Sequence, residues 1–219
     1  MALQIKQTVG KTKGYADVVF CFDCTGSMKN VIDNVKDHVN KFVEGLNADQ
    51  STMVDWRMRA IGYGDLEKGE AVQGGSDFVT DVEAFKAQVA SITICNGGDR
   101  PESTLDAIVY AAKTSNWRHA QKIIAIFTDA PTKDLHTSTK STFAINDLDS
   151  LKKDLTENHI KLFLWGAADP KYKALDVVPK SEIIELSDPH AELSSGANMS
   201  KLLEQMGKTV SSEAPSTVL

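Results

Sequence analysis

The stretch Lys122-Ile-Ile-Ala-Ile-Phe-Thr128, running on into Asp129-Ala-Pro131, decides the fold. Uninterrupted apolar residues with no polar alternation are what a strand covered on both faces requires. Tyr15-Ala-Asp-Val-Val-Phe-Cys-Phe22 has the same character upstream, and Met53 to Tyr63 reads as a further strand closed by Gly62 and Gly64. Between these runs the period changes. Met28, Val31, Ile32, Val35, Val39, Phe42, Val43 and Leu46 recur at steps of three and four and draw one apolar stripe along a long helix. Val82, Phe85, Val89 and Ile92 mark a second helix, capped by Thr80 or Asp81, and Leu105, Ile108, Val109 and Ala112 a third.

Ile145, Leu148, Leu151 and Leu155 spell another helix after a loop over 132–142. Ile160 to Trp165 and Ser181 to Leu186 are strands, and Met199 to Met206 lies in a closing helix. Gly74-Gly75 reads as a turn before a short edge strand at Phe78-Val79-Thr80. Asn96 to Glu102 is a loop, with Pro101 placed as a first helical residue. Strands alternating with helices give an α/β class with a mostly parallel sheet and helices on both faces. The expected division is an N-terminal extension over 1–14, one domain over 15–210 and a frayed tail over 211–219.

Composition narrows the function. The chain has 219 residues, 24 Lys and Arg against 30 Asp and Glu, and a net charge of −6. An acidic balance disfavours nucleic acid, whose phosphates call for a basic surface. No apolar run is long enough for a membrane span, and no signal-peptide pattern opens the sequence. Three cysteines, an odd count, argue against a disulfide framework and for a reducing, cytoplasmic setting. No large apolar patch is evident, so a monomer is expected. The Cys21-Phe-Asp-Cys24 spacing resembles a redox or zinc pair, but no second pair accompanies it and Cys21 is assigned to the core. The five histidines show no ligand spacing and are assigned to surface or loops, and Trp56, Trp117 and Trp165 to sheet or helix edges.

Ligands of open α/β sheets sit at the carboxyl ends of the strands. Here those ends carry Asp23-Cys-Thr-Gly-Ser27 and Thr128-Asp129, while Asp99-Arg-Pro-Glu102 opens the third helix. Carboxylates and hydroxyls together make an all-oxygen set of the kind hard divalent cations prefer. Gly26 is expected to let the loop turn tightly enough for Thr25 and Ser27 to aim at one point. Taken singly, Asp23 with Ser27 also suits a strand-end carboxylate and a helix cap, and Asp99 a first-turn acid favoured by the helix dipole.

Asp23-x-Thr25-x-Ser27, the acidic loop at 99–102 and Phe127-Thr-Asp129, in that order, resemble the von Willebrand factor A domain with its metal-ion-dependent adhesion site. The resemblance implies a Rossmann-like three-layer fold with one short antiparallel edge strand. It implies that Thr25 and Ser27 coordinate Mg²⁺ directly, with Mn²⁺ or Ca²⁺ as alternatives, and that Asp23 and Asp129 act through waters and orienting hydrogen bonds. Glu102 falls where integrin β-type A domains carry a liganding Glu, and Asp99 is a weaker candidate for a second cation. A partner protein's acidic residue would complete the shell, and no enzymatic activity is implied. Position 25 is Thr instead of the commoner Ser, and Asn30-Val31 replace the Asp pair of an adjacent regulatory site, so that site is not expected.

Two other functions compete. One is a metal-dependent phosphoryl-transfer hydrolase of the haloacid-dehalogenase type, which has an Asp nucleophile and an Asp-x-Asp signature. Thr25 stands where the second Asp, the general acid, belongs, and no phosphate-binding glycine loop follows the first strand. The other is a scaffold that binds its partner without metal.

Overall fold

A computed structural model describes residues 12–48, 52–74, 77–95, 100–213 and 217–218. In chain order its elements are β1 (Thr12–Asp23), α1 (Lys29–Leu46), β2 (Thr52–Tyr63), β3 (Gln73–Gly74), α2 (Val82–Ala90), α3 (Thr104–Thr114), β4 (Gln121–Phe127), α4 (Thr137–Phe143), α5 (Leu148–Glu157), β5 (Ile160–Gly166), α6 (Pro170–Ala174), β6 (Glu182–Glu185), α7 (Pro189–Ser194), α8 (Gly196–Glu213) and β7 (Thr217–Val218). The sheet runs β3-β2-β1-β4-β5-β6, with β7 paired to β1. β3 and β7 are antiparallel to their neighbours and the other strands are parallel. The α/β class and the mostly parallel sheet are as expected.

The pleat sorts the core into two layers. Ala16, Val18, Phe20 and Phe22 of β1 face α1, α2 and α8, while Val19 and Cys21 face the layer holding α3 and α5. Period two in a strand and a three-to-four step in the helices meet at both faces. Phe20, Phe22, Phe127 and Trp165 stack in sequence across the first layer. Trp165 therefore sits in the core, 2% exposed, and not at an edge, because its register partner is the inward-facing Phe127.

Helices α1 and α8 touch through glycine. A Cβ on Gly207 would stand 2.2 Å from the carbonyl oxygen of Phe42, and one on Gly45 2.3 Å from that of Glu204. Backbone-to-backbone approach of this kind admits no side chain.

Several local expectations are corrected. The antiparallel edge is β3, at Gln73–Gly74, so Gly74 belongs to a strand and not to a turn; Gly75 lies outside the described residues. Val79 makes a single bridge to Met58, because the Asp81 cap of α2 follows at once and leaves no length for a ladder. The stretch read as a loop over 132–142 contains α4, capped by His136, with Thr139 buried. Ser138, Thr139 and Thr142 favour helices weakly, so packing and the cap, not propensity, hold that turn. Pro101 precedes the Ser103 cap of α3 and is not its first helical residue. The expected frayed tail is helical to Glu213, with Ser211 buried, and Thr217–Val218 pair with β1. β1 itself starts at Thr12, within the expected extension. Among the described residues no helix is long and apolar enough to cross a membrane.

Candidate functional site

The strand order puts β1 beside β4, with β2 and β3 on one side and β5 and β6 on the other. Chain connections leave this pair in opposite directions, which opens a crevice beyond the carboxyl ends. Phe22 pairs with Phe127, so the next residues, Asp23 and Thr128, meet. Thr128 Oγ1 donates to Asp23 Oδ2 at 3.0 Å. Asp23 Oδ1 accepts from Thr25 N at 3.0 Å and from Thr25 Oγ1 at 2.7 Å. Both oxygens of a fully buried carboxylate are thereby fixed, and they fix the Thr25 hydroxyl in turn. Thr25 Oγ1 stands 3.4 Å from Ser27 Oγ, so the two hydroxyls converge as expected. Gly26 is not what permits this. A Cβ there would meet open space and its φ is not left-handed, so the turn imposes no glycine.

A disulfide between Cys24 and Cys95 ties this loop to the end of the segment over 77–95. Cys95 N also donates to Cys24 O at 2.7 Å, and Thr25 bridges Cys95. The odd cysteine count had argued against any such bond. It hides a pair plus one buried free thiol, Cys21. Cys24 lies past the last pleated pair of the strand and its partner is 71 residues away, so no short spacing reveals it.

Glu102 reaches the same crevice by a short parallel pairing. Its N–H donates to Pro131 O at 2.9 Å and its carbonyl accepts from Lys133 N at 2.8 Å. Glu102 and Asp129 are buried, at 4% and 3% exposure, and among the described residues Glu102 Oε2 and Asp129 Oδ2 each lack a hydrogen-bond partner. Among the described residues, Asp129 Oδ2 lies 3.5 Å from His190 Nδ1 and 3.7 Å from Arg100 Nη2, both on largely exposed side chains. Exposed pairs of that length offset little of a buried charge.

Burial pushes the Asp23 carboxyl up to about 6; hydrogen bonds from Thr25 oppose that rise, and the neighbouring Asp129 adds to it. Burial raises Glu102 further, to about 8, assisted by Asp23, Asp65 and Glu70. Neighbouring carboxylates thus add to what burial does at Asp23 and Glu102, because each disfavours charge on the next.

Asp65 and Glu70 escape the motif reading. Asp65 is fully buried, accepts from Lys133 Nζ at 2.7 Å and caps the following turn through Glu67 N at 2.9 Å. Glu70 Oε2 accepts from Asp65 N at 2.8 Å. Gly64-Asp65 at the end of β2 is itself a strand-end carboxylate, so the strand-end rule points to it. His190, placed on the surface by the sequence reading, is on α7 and no spacing links it to Asp129. Beneath the site, the Tyr172 hydroxyl donates to Ala130 O at 3.0 Å and meets Thr104 Oγ1, which also meets the Tyr63 hydroxyl at 3.1 Å. This buried layer steadies the Asp129 loop with neutral groups.

Among the described residues no three His, Cys, Asp or Glu side chains form a metal-holding group. Asp99 lies outside the described residues. A cation held here would therefore draw on the Thr25 and Ser27 hydroxyls together with the unpartnered oxygens of Glu102 and Asp129. Buried carboxylate oxygens without a hydrogen bond are uncommon in native proteins. An all-oxygen donor set of this kind suits Mg²⁺.

The model of the von Willebrand factor A domain matches residues 17–153. Mouse hemicentin-2 is 26% identical over 130 residues, a match that takes in 59% of this chain and 2% of that protein. Two crystal forms of proximal thread matrix protein 1 from the mussel byssus share the fold. The first superposes with a TM-score of 0.60 at 15% identity over 92% of this chain and 47% of that one. The second gives 0.59 at 15% identity over 90% and 46%. The chain thus spans about half the length of these solved structures and a small fraction of the hemicentin.

Proposed function

The chain belongs to the von Willebrand factor A domain family, a family of interaction modules, and from that membership we propose that it binds a partner protein through a Mg²⁺-dependent site. Thr25 and Ser27 would hold the ion through their hydroxyls, with Glu102 as the carboxylate ligand, the free Asp129 oxygen reaching the ion through a bound water and Asp23 orienting Thr25. When bound, the ion offers an open position to an acidic residue of the partner. The observation that carries this reading is the pair of buried, unpartnered oxygens on Glu102 and Asp129 beside two convergent hydroxyls.

The chain's own residues do the preparatory work. Asp23 locks the Thr25 side chain, Thr128 locks Asp23, and the Cys24–Cys95 bond anchors the loop that carries Thr25 and Ser27. The partner's chemistry follows from the charge: the crowded carboxyls of Asp23, Glu102 and Asp129 disfavour an acidic group until a divalent cation displaces the Glu102 proton and offsets them.

The hydrolase reading is disfavoured by Asp23. It is fully buried with both oxygens occupied by Thr25 and Thr128, which is unsuited to in-line attack on a phosphoryl group. We therefore assign a non-enzymatic role. Thermal melting in a Mg²⁺ titration tests the metal step. Mg²⁺ at a hundredfold excess over its Kd should stabilise the fold by about 2.7 kcal/mol, raising Tm by about 5–10 °C, and Asp129→Ala should remove the rise. An unshifted Tm in the unaltered chain would leave the metal-independent scaffold as the better reading.

A further inference from the structure

A second concavity lies at the opposite end of the sheet, where β4 and β5 begin. These strand starts, the last turn of α5 and the turn before β6 enclose a cavity of about 470 Å³. That size falls within the range of small-molecule sites. Leu155, Ile160 and Pro179 give it apolar walls. Lys122, His159, Lys161 and Lys180 also line it, with Glu213 as the carboxylate among the lining residues. In a chain of net charge −6 the three lysines are a local excess of cations.

The pairing does not cancel that excess. Glu213 Oε2 is 2.7 Å from Lys161 Nζ and 3.9 Å from Lys180 Nζ, so one carboxylate serves two ammonium groups. Glu182, near Lys161, adds a second carboxylate outside the lining. Lys122 Nζ donates to the carbonyl of Asn158 at 3.1 Å.

The backbone carries an independent signal. Among the described residues, three that are not glycine have a left-handed φ, and two of them line this cavity: His159 at 54° and Lys180 at 62°. Glycine is the unstrained residue at such positions. His159 follows the cap of α5, where glycine is the usual choice. Of the two, Lys180 is the less usual, since histidine is among the residues enriched at such angles, and it keeps a basic side chain at the cavity.

We propose that this cavity binds a medium-chain carboxylate, its alkyl tail against Leu155, Ile160 and Pro179 and its headgroup held by Lys180 and Lys122. A single negative charge fits better than a phosphate dianion, because the carboxyl end of α5 presents its dipole's negative pole here. Flexible lysine stems accept a point charge, whereas the planar fork of arginine, suited to phosphate, is absent from the lining.

Isothermal titration calorimetry of the full chain with decanoate, below its micelle concentration, tests this. One molecule should bind saturably, and decanol and decyltrimethylammonium should bind about ten-fold more weakly or worse. Lys180→Gly relieves the left-handed backbone, so its melting temperature should hold or rise while decanoate affinity falls about ten-fold. Lys122→Met serves as the second variant, keeping the stem and removing the charge. Three results would overturn the proposal: no saturable heat with decanoate, equal affinity for decanol, or undiminished affinity in the doubly substituted, folded chain.

Discussion

Strand β1 buries two aspartates, Asp17 in its middle and Asp23 at its carboxyl end, and the protein treats them differently. Asp17 is fully buried and receives four hydrogen bonds from two arginines: Arg57 Nε at 3.0 Å, Arg57 Nη2 at 2.5 Å, Arg118 N at 2.9 Å and Arg118 Nε at 2.7 Å. Asp23, six residues on and equally buried, receives two hydroxyls and one amide and no cation. Arg118 is held in turn by Asp55 at 2.8 Å, so the cluster around Asp17 closes on itself. The fold can therefore neutralise a buried carboxylate on this strand. Where it does not, at Asp23 with Glu102 and Asp129 beside it, the missing positive charge is the feature that requires a function.

The largest expected effect tests that contrast by sign. Asp17→Ala leaves two arginines without their shared counterion and should lower unfolding free energy by about 3–5 kcal/mol, with or without metal. Asp23→Asn should do the reverse in EDTA and raise stability by about 1 kcal/mol, since an uncompensated buried charge is removed. Its amide nitrogen would donate to Thr128 Oγ1, whose own hydroxyl turns to Ala130 O, 3.3 Å away. Urea unfolding of both variants in EDTA checks the pair, and a loss at Asp23→Asn comparable to that at Asp17→Ala would erase the distinction.

The pH dependence sharpens it further. Asp23 and Glu102 ionise at about 6 and about 8 in the fold, above their ordinary 3.8 and 4.5. Across that window the native chain holds more protons than the unfolded one, so metal-free stability falls as pH rises from about 4 to about 8. Melting curves across this window in EDTA should show the decline, and a variant combining Asp23→Asn with Glu102→Gln should flatten it.

The smallest effect concerns Arg100. Its guanidinium, 3.7 Å from Asp129 Oδ2 and mostly exposed, is a weak stand-in for a divalent charge. Arg100→Ala should tighten Mg²⁺ binding by about two- to five-fold, read as a lower midpoint in the thermal titration.

Much of this contrast is legible in the sequence at Asp23 and hardly at all at Asp17. Asp23, Thr25 and Ser27 sit in one short loop after an apolar strand, and strand-end reasoning brings Glu102 and Asp129 to the same crevice. Asp17 reads as one polar residue inside an apolar run, and its partners at 57 and 118 meet it through tertiary packing alone. The same holds for His190 beside Asp129 and for Cys95 beside Cys24. The odd cysteine count misled because parity cannot tell one pair plus one free thiol from three free thiols, and the argument for a reducing compartment loses that premise. The buried position of Trp165 and the short helix α4 were likewise settled by packing, where local propensity is weak.

Direct counting of bound metal tests the central claim most plainly. Mn²⁺ titrated into the metal-free chain and followed by electron paramagnetic resonance should show one bound ion per chain. That ion should be lost in Asp129→Ala and in Ser27→Ala, and retained in Lys180→Gly at the far end of the sheet. Free-ion signal throughout in the unaltered chain, or one bound ion that survives both Asp129→Ala and Ser27→Ala, would contradict the account.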